Sequence, residues 1–229
     1  MILLELIGVA AFAVTGAMAA MEVGADVFGV LFLSLVTALG GGIIRDVIMQ
    51  VGNVYVLTSR WAIPVSLAAG ILGFAFPSAF QRFPRLLEWV DVISMGLFVA
   101  SGTDKALAYS LHAVACVLMG LLTGVGGGAL RDVFLGEVPR VFERSNLYAL
   151  CAVAGSVAYY ACIAWLHLRR PWAAVICVAV TLGLRRLSLR YNILSPANVD
   201  LTPQVAMPAR KVAGKVRRYV LRRRGGSRD

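Results

Sequence analysis

The chain has 229 residues, 59% of them hydrophobic and 15% charged, with a formal net charge of +10. A soluble domain is about 45–50% apolar and about 25% charged. This composition, with a mean hydropathy of +0.80, excludes an ordinary soluble enzyme, a disordered chain and a coiled coil. It points to an all-α protein embedded in a membrane, because so much apolar surface would aggregate in water.

The charge is unevenly placed. Residues 195–229 hold nine Lys or Arg against Asp200 and Asp229. A basic tail behind an apolar body faces anionic lipid and fixes topology, so anionic lipid is the expected partner of the tail and nucleic acid is not. Cys116, Cys151, Cys162 and Cys177 lie in apolar runs without CxxC spacing and read as small packed hydrophobes. No Lys or Arg precedes Arg45, so a basic leader region is missing and a signal peptide is not expected.

About 20 apolar residues cross a hydrocarbon core as a helix. On that measure the charge-free windows predict seven spans: Leu6–Met21, Val27–Ile44 with an extension towards Val51, Trp61–Gln81, Val92–Thr103 reaching Tyr109, Ala106–Leu130, Ser145–Leu168 and Pro171–Leu184. The fifth shares its beginning with a loop, and the seventh lengthens if Arg185 and Arg186 snorkel to the interface. Arg185, Arg186, Arg190 and the basic tail place the C-terminus in the cytoplasm. Seven crossings then put the N-terminus outside. Of the loop residues, Arg82, Arg85, Arg140 and Arg144 fall inside, and Arg60, Arg169, Arg170 and Lys105 outside.

An internal repeat organises these spans. Shifted by 86 positions, Ala11-Phe12-Ala13-Val14-Thr15-Gly16 falls on Leu97-Phe98-Val99-Ala100-Ser101-Gly102. The same shift carries Thr37, Gly40-Gly41-Gly42 and Arg45-Asp46 onto Thr123, Gly126-Gly127-Gly128 and Arg131-Asp132, and Glu5 onto Asp91. Each copy holds three helices. An odd number makes the second copy enter the membrane from the opposite side, so inverted repeats are expected. The predicted organisation is a first repeat over 1–86, an inverted second over 87–168, a seventh helix over 169–194 and a cytoplasmic tail over 195–229.

Three features can carry chemistry. Glycine costs about 1 kcal/mol relative to Ala inside a helix, so Gly40–Gly42 and Gly126–Gly128 predict broken or kinked second and fifth helices. Unwound carbonyls there could line a transport path; close helix packing is the other explanation. Arg45, Asp46, Arg131 and Asp132 would each cost about 2.5–3.5 kcal/mol at a helix centre. Adjacent residues point about 100° apart, so crossed pairs are expected, Arg45 with Asp132 and Arg131 with Asp46. They either line the pathway or lock the two helices together. Third, Asp104-Lys105 stands where the first repeat has Met18-Ala19; Lys105 is either a charged gate or an interfacial lysine. The hydroxyls of Thr15, Ser101, Thr37 and Thr123 line a wet path or bond backbone carbonyls. His112 and His167 belong to loops or interfaces. No nucleophile–base motif and no P-loop Lys-Ser/Thr is present, so neither an enzyme nor a nucleotide site is expected, and no cofactor or metal.

The paired GGG-x-x-RD motifs, the Phe-x-x-(Thr/Ser)-Gly segments at Phe12 and Phe98, and the three-plus-three-plus-one helices resemble prokaryotic trimeric intracellular cation (TRIC) channels over about residues 5–190. Members of the same family are also described as glycine transporters. The resemblance implies a homotrimer; compactness and the cytoplasmic tail point to a prokaryotic plasma membrane. Each protomer would have its own pore bounded by helices 1, 2, 4 and 5 and kinked at Gly40–Gly42 and Gly126–Gly128. It implies passive flow of potassium, with sodium as a second candidate ion, and Lys105 as a candidate gate. Animal members carry Lys-Glu-Val and a phosphoinositide site at the first kink, where this chain has Gly42-Ile43-Ile44-Arg45. The alternative function is a secondary transporter for glycine or another small amino acid, and a third is a membrane scaffold with dry packing around both glycine clusters.

Overall fold

Val27 and Ala113 each begin a long helix, and they stand 86 positions apart, as do Ala62 and Tyr148, which begin two more. The computed structural model describes residues 2–78, 84–142 and 147–191. In chain order its helices are α1 (Ile2–Glu22), α2 (Val27–Met49), the single turn α3 (Tyr55–Thr58), α4 (Ala62–Ala75), α5 (Pro84–Ala108), α6 (Ala113–Phe134), α7 (Tyr148–Ala164) and α8 (Arg170–Arg190). All belong to one unit, Met1–Ser195. On length and composition α1, α2, α6 and α8 are apolar enough to cross a membrane, whereas α4 and α7 are apolar but shorter. The basic segment 195–229, together with Arg82 and Arg144, lies outside the described residues.

Local chemistry sets the helix ends. Asp26 caps α2 by accepting from the Gly29 amide at 2.8 Å, which satisfies a donor the first turn leaves open. Gln50 closes the same helix in the left-handed region, at φ 48. Helix α4 stops at Ala75, well short of the charge-free window ending at Gln81, because Pro77 bars Phe76 from helical geometry. Helix α5 departs from expectation in the other direction. It starts at Pro84 and takes in Glu88 and Asp91, which the charge-free window beginning at Val92 left out. Asp91 is buried because Arg131 and Tyr148 reach it across the helix interface; a window that stops at each charge cannot register such a partner.

The centre of the molecule is the crossing of α2 and α6. Helical geometry continues unbroken through Gly40–Gly42 and Gly126–Gly128, so the expected unwinding is absent. The glycines instead admit backbone against backbone. A Cβ on Gly41 would overlap the Thr123 carbonyl oxygen, and one on Gly127 would overlap that of Thr37. Since 41 meets 123 while 127 meets 37, the two helices cross in opposite senses. Glycine is required here because no side chain fits between the two main chains.

Helices α1 and α5 also run oppositely. Ser101 on α5 bonds Glu5 near the start of α1, and a Cβ on Gly8 would meet the Phe98 ring at 3.2 Å. Phe12 and Phe98, which the 86-residue shift superposes, stack with centroids 5.3 Å apart and planes at 15°. Helix α8 packs on α5 and α7 of the second half. Gly96 of α5 faces the Val178 backbone, and Gly155 of α7 faces the Thr181 hydroxyl.

Candidate functional site

Two charged cavities occupy opposite ends of α1. The smaller, about 220 Å³, is lined by Glu5 on α1, Arg45 on α2, Asn53 and Tyr55 beyond it, and Ser101, Asp104 and Lys105 on α5. The larger, about 440 Å³, is lined by Thr15, Met18, Ala19 and Glu22 on α1, Asp91 on α5, Arg131 on α6, and Arg140 and Arg185. Glu5 and Glu22 are 17 positions apart on one helix, roughly 25 Å at 1.5 Å per residue. The linings correspond under the shift of 86, with Glu5 falling on Asp91, Arg45 on Arg131, Thr15 on Ser101, and Met18 and Ala19 on Asp104 and Lys105.

In the smaller cavity the Arg45 guanidinium donates to both carboxylate oxygens of Asp46, at 2.7 and 3.2 Å, and to the Ser101 hydroxyl at 3.2 Å. Ser101 donates to Glu5 at 3.0 Å, and Glu5 and Arg45 face each other at 3.6 Å. Lys105 donates to Asp46 at 2.6 Å and to the Asn53 carbonyl at 3.3 Å. The Tyr55 amide completes the Asp46 shell at 2.7 Å. Two cations thus balance two carboxylates, which is what burial of charge demands. Tyr55 lies in the turn α3, outside the long helices, and burial raises its phenol above the ordinary value.

The larger cavity repeats the device. Arg131 donates to Asp132 at 2.9 and 2.8 Å and to Asp91 at 3.3 Å. Asp132 also accepts from the Arg140 amide at 3.1 Å, and Asp91 from the Tyr148 hydroxyl at 3.2 Å.

These contacts overturn the crossed pairs. Each arginine bonds the aspartate next to it in sequence, because its long flexible stem folds back around the helix and its planar fork matches a carboxylate. Arg45 lies four residues past Gly41, and Asp132 lies nine past Thr123, which Gly41 meets, on helices of opposite sense. The two are therefore separated by roughly 20 Å along the axes.

The hydroxyls divide. Ser101 and Thr15 line cavities, although Thr15 donates to the Phe12 carbonyl at 2.9 Å. Thr37 and Thr123 are fully buried and donate to Leu33 and Met119 carbonyls at 2.7 and 2.5 Å. They fill the space that Gly16 and Gly102 leave open. Lys105 stands inside the charged network, its side chain 21% exposed. Its neighbour Asp104 accepts from Tyr159 at 2.9 Å and faces Arg170 at 3.4 Å.

Glu5, Asp91, Tyr148 and the Tyr55 and Arg140 amides take part in the site without belonging to the motifs that mark it in the sequence. The coincidence of Glu5 with Asp91 under the repeat shift was a signal for the first two. The amides carry none, since any residue supplies one.

The family model described as glycine transporter matches residues 2–78 and 88–164. The UPF0126 inner membrane protein YadS of Escherichia coli is 31% identical over 194 residues, 84% of this chain and 93% of its own length. A solved structure concerning conductance through TRIC cation channels shares 33% identity at a TM-score of 0.76 and covers 87% of this chain and 97% of its own. The TRIC trimeric intracellular cation channel orthologue from Rhodobacter sphaeroides shares 31% at a TM-score of 0.77, covering 84% and 98%. With a family match over more than half its length, and this likeness to solved TRIC structures in sequence and fold, the chain is an all-helical membrane protein of the TRIC-type family whose model is described as glycine transporter.

Proposed function

We propose that this protein is a passive cation channel that conducts potassium, with sodium as a second candidate, through one pore in each protomer of a homotrimer. The observation that carries the proposal is the pair of charged cavities at opposite ends of α1 and α5, with the stacked Phe12 and Phe98 at a level between them. An ion shed of water needs polar oxygen at both mouths and a short apolar constriction where the path closes by dewetting. Likeness to solved TRIC cation channels supports the same reading.

In this proposal α1, α2 and α4 form one triplet of spans, α5, α6 and α7 a second of inverted sense, and α8 a seventh span. Antiparallel crossing of α2 with α6 and of α1 with α5 supports the inversion. Helices α2 and α6 bend at their glycine triplets as the path opens, and Lys105 is the gate. Its ammonium ties α5 to Asp46 and holds a positive charge at one mouth. The protein sits in the plasma membrane with the C-terminus cytoplasmic, as the arginines at the end of α8 favour. No catalysis is proposed, and anionic lipid is proposed to bind the basic tail.

The test is flux. Liposomes carrying the purified protein and a potassium gradient should discharge it, and should accumulate no labelled glycine. Glycine uptake with no potassium leak would instead establish a carrier, which the family description and the mixed carboxylate and guanidinium lining of the larger cavity favour as the second reading. Replacing both phenylalanines, Phe12→Ala with Phe98→Ala, should raise potassium flux severalfold. Unchanged flux would remove the aromatic pair from the path. Lys105→Gln should also raise it, and equal flux would reduce Lys105 to a structural tie.

A further inference from the structure

A groove of about 170 Å³ opens between α5 and α8, at the end where α5 begins and α8 finishes. Its floor is apolar, built from Val92 on α5 and Leu182 and Leu189 on α8, and its rim carries Glu88, Arg185 and Arg186. Positions 182, 185, 186 and 189 fall on a single stripe of α8. The Arg186 guanidinium lies over the Trp89 ring, 5.3 Å from its centroid, and that of Arg185 lies over Tyr148 at 5.4 Å. Arg185 also faces Glu88 at 4.0 Å, so the excess positive charge of the rim rests on Arg186, which is exposed. The groove adjoins the larger cavity, with which it shares Glu88 and Arg185, but its floor, Trp89 and Arg186 belong to neither cavity.

We propose that this groove seats one anionic phospholipid, with its phosphate on Arg186 and an acyl chain along Val92 and Leu182. The proposal rests on α5 and α8 being membrane spans and not on what the protein transports. A tryptophan at a helix end marks the headgroup level of a bilayer. A guanidinium stacked on an aromatic face keeps its N–H edge free and planar for phosphate oxygens. Apolar walls below that level suit a hydrocarbon chain and offer nothing to a soluble anion. The following segment of this chain is itself basic, so charge does not favour it as the occupant.

Intact-mass measurement of lipid adducts tests the site. The purified protein is equilibrated with equal amounts of phosphatidylglycerol and phosphatidylcholine of identical chains. Wild type should retain phosphatidylglycerol preferentially. Arg186→Gln should lower that preference about fivefold, the factor for one basic residue at an anionic surface. Arg186→Lys should keep most of it, Arg186→Glu should abolish it, and Arg60→Gln, at a distant position, should leave it unchanged. Equal retention of both lipids by wild type, or an Arg186→Gln preference equal to wild type, overturns the proposal. So does displacement of phosphatidylglycerol by millimolar inorganic phosphate, which would mean a free-anion site, or lipid-free association of copies that Arg186→Glu disrupts.

Discussion

Gly41→Ala and Gly127→Ala are expected to destabilise the protein far more than the same change at Gly42 or Gly128, although each set of three reads identically in sequence. At 41 and 127 the new Cβ lands on a carbonyl oxygen of the facing helix, and main chain cannot move aside by changing a rotamer. At Gly42 the nearest atom is the Arg45 Nη2 at 3.9 Å, and at Gly128 it is the Tyr148 hydroxyl oxygen, also at 3.9 Å. Gly40 is intermediate, since a Cβ there meets the mobile tip of Leu130 at 2.5 Å. Overpacking costs about 1–3 kcal/mol, whereas the tolerated sites gain up to about 1 kcal/mol of helix propensity. Melting temperatures in detergent should therefore fall by several degrees for the first two variants, at about 2–4 °C per kcal/mol for a chain of this size. They should hold or rise for Gly42→Ala and Gly128→Ala. Equal losses across all the glycines would show that backbone freedom, and not the close crossing, is what the triplets provide.

Arg131→Met should be among the most damaging substitutions in the second half, because it leaves Asp91 and Asp132 buried without their shared cation. Breaking a buried pair on one side costs about 3–5 kcal/mol, whereas replacing both partners by apolar groups is often close to neutral. Asp132→Leu alone should cost less, as Arg131 keeps Asp91 at 3.3 Å. The double variant Arg131→Met with Asp132→Leu should lose clearly less than the sum of the two. Residual damage is expected from Asp91, left with the Tyr148 hydroxyl and with Arg140 at 3.9 Å. Apparent stability against heat and denaturant for the four proteins closes the cycle. Strict additivity would show that the adjacent Arg–Asp bond contributes nothing. Asp46 at the other end should be less forgiving still, since Arg45, Lys105 and the Tyr55 amide all converge on it.

The two sites also show how much of the fold and the candidate site was legible in the chain itself. The membrane class follows from composition, and the starts of α2 and α8 agree with the charge-free windows to a residue or so. The repeat was legible because T-x-x-GGG-x-x-RD is too particular to recur by chance in apolar helices. What it marked was a place in the structure, not a contact. The glycines indicated that something close or bent happens at 40–42 and 126–128, and both explanations were open. The crossing geometry supplies the close approach. The charged residues are legible in the sequence but their pairing is not, because the angle around the helix separates neighbours whereas the reach of arginine brings each back to the adjacent aspartate. Helix α5 begins before the charge-free window for a related reason, because a buried aspartate reads as a helix boundary in a sequence that does not show its arginine partner.

Periodicity, composition and internal repetition are properties of neighbours along the chain, and they alone determined that this is a helical membrane protein built from two similar halves. Contacts between residues 40 to 96 positions apart are another matter. Ser101 with Glu5, Lys105 with Asp46, and Asp91 with Arg131 depend on the sense and depth at which helices cross. Only the tertiary structure decided them, because the free energy of a buried charge is set by whatever lies within a few ångströms of it and not by its place in the sequence.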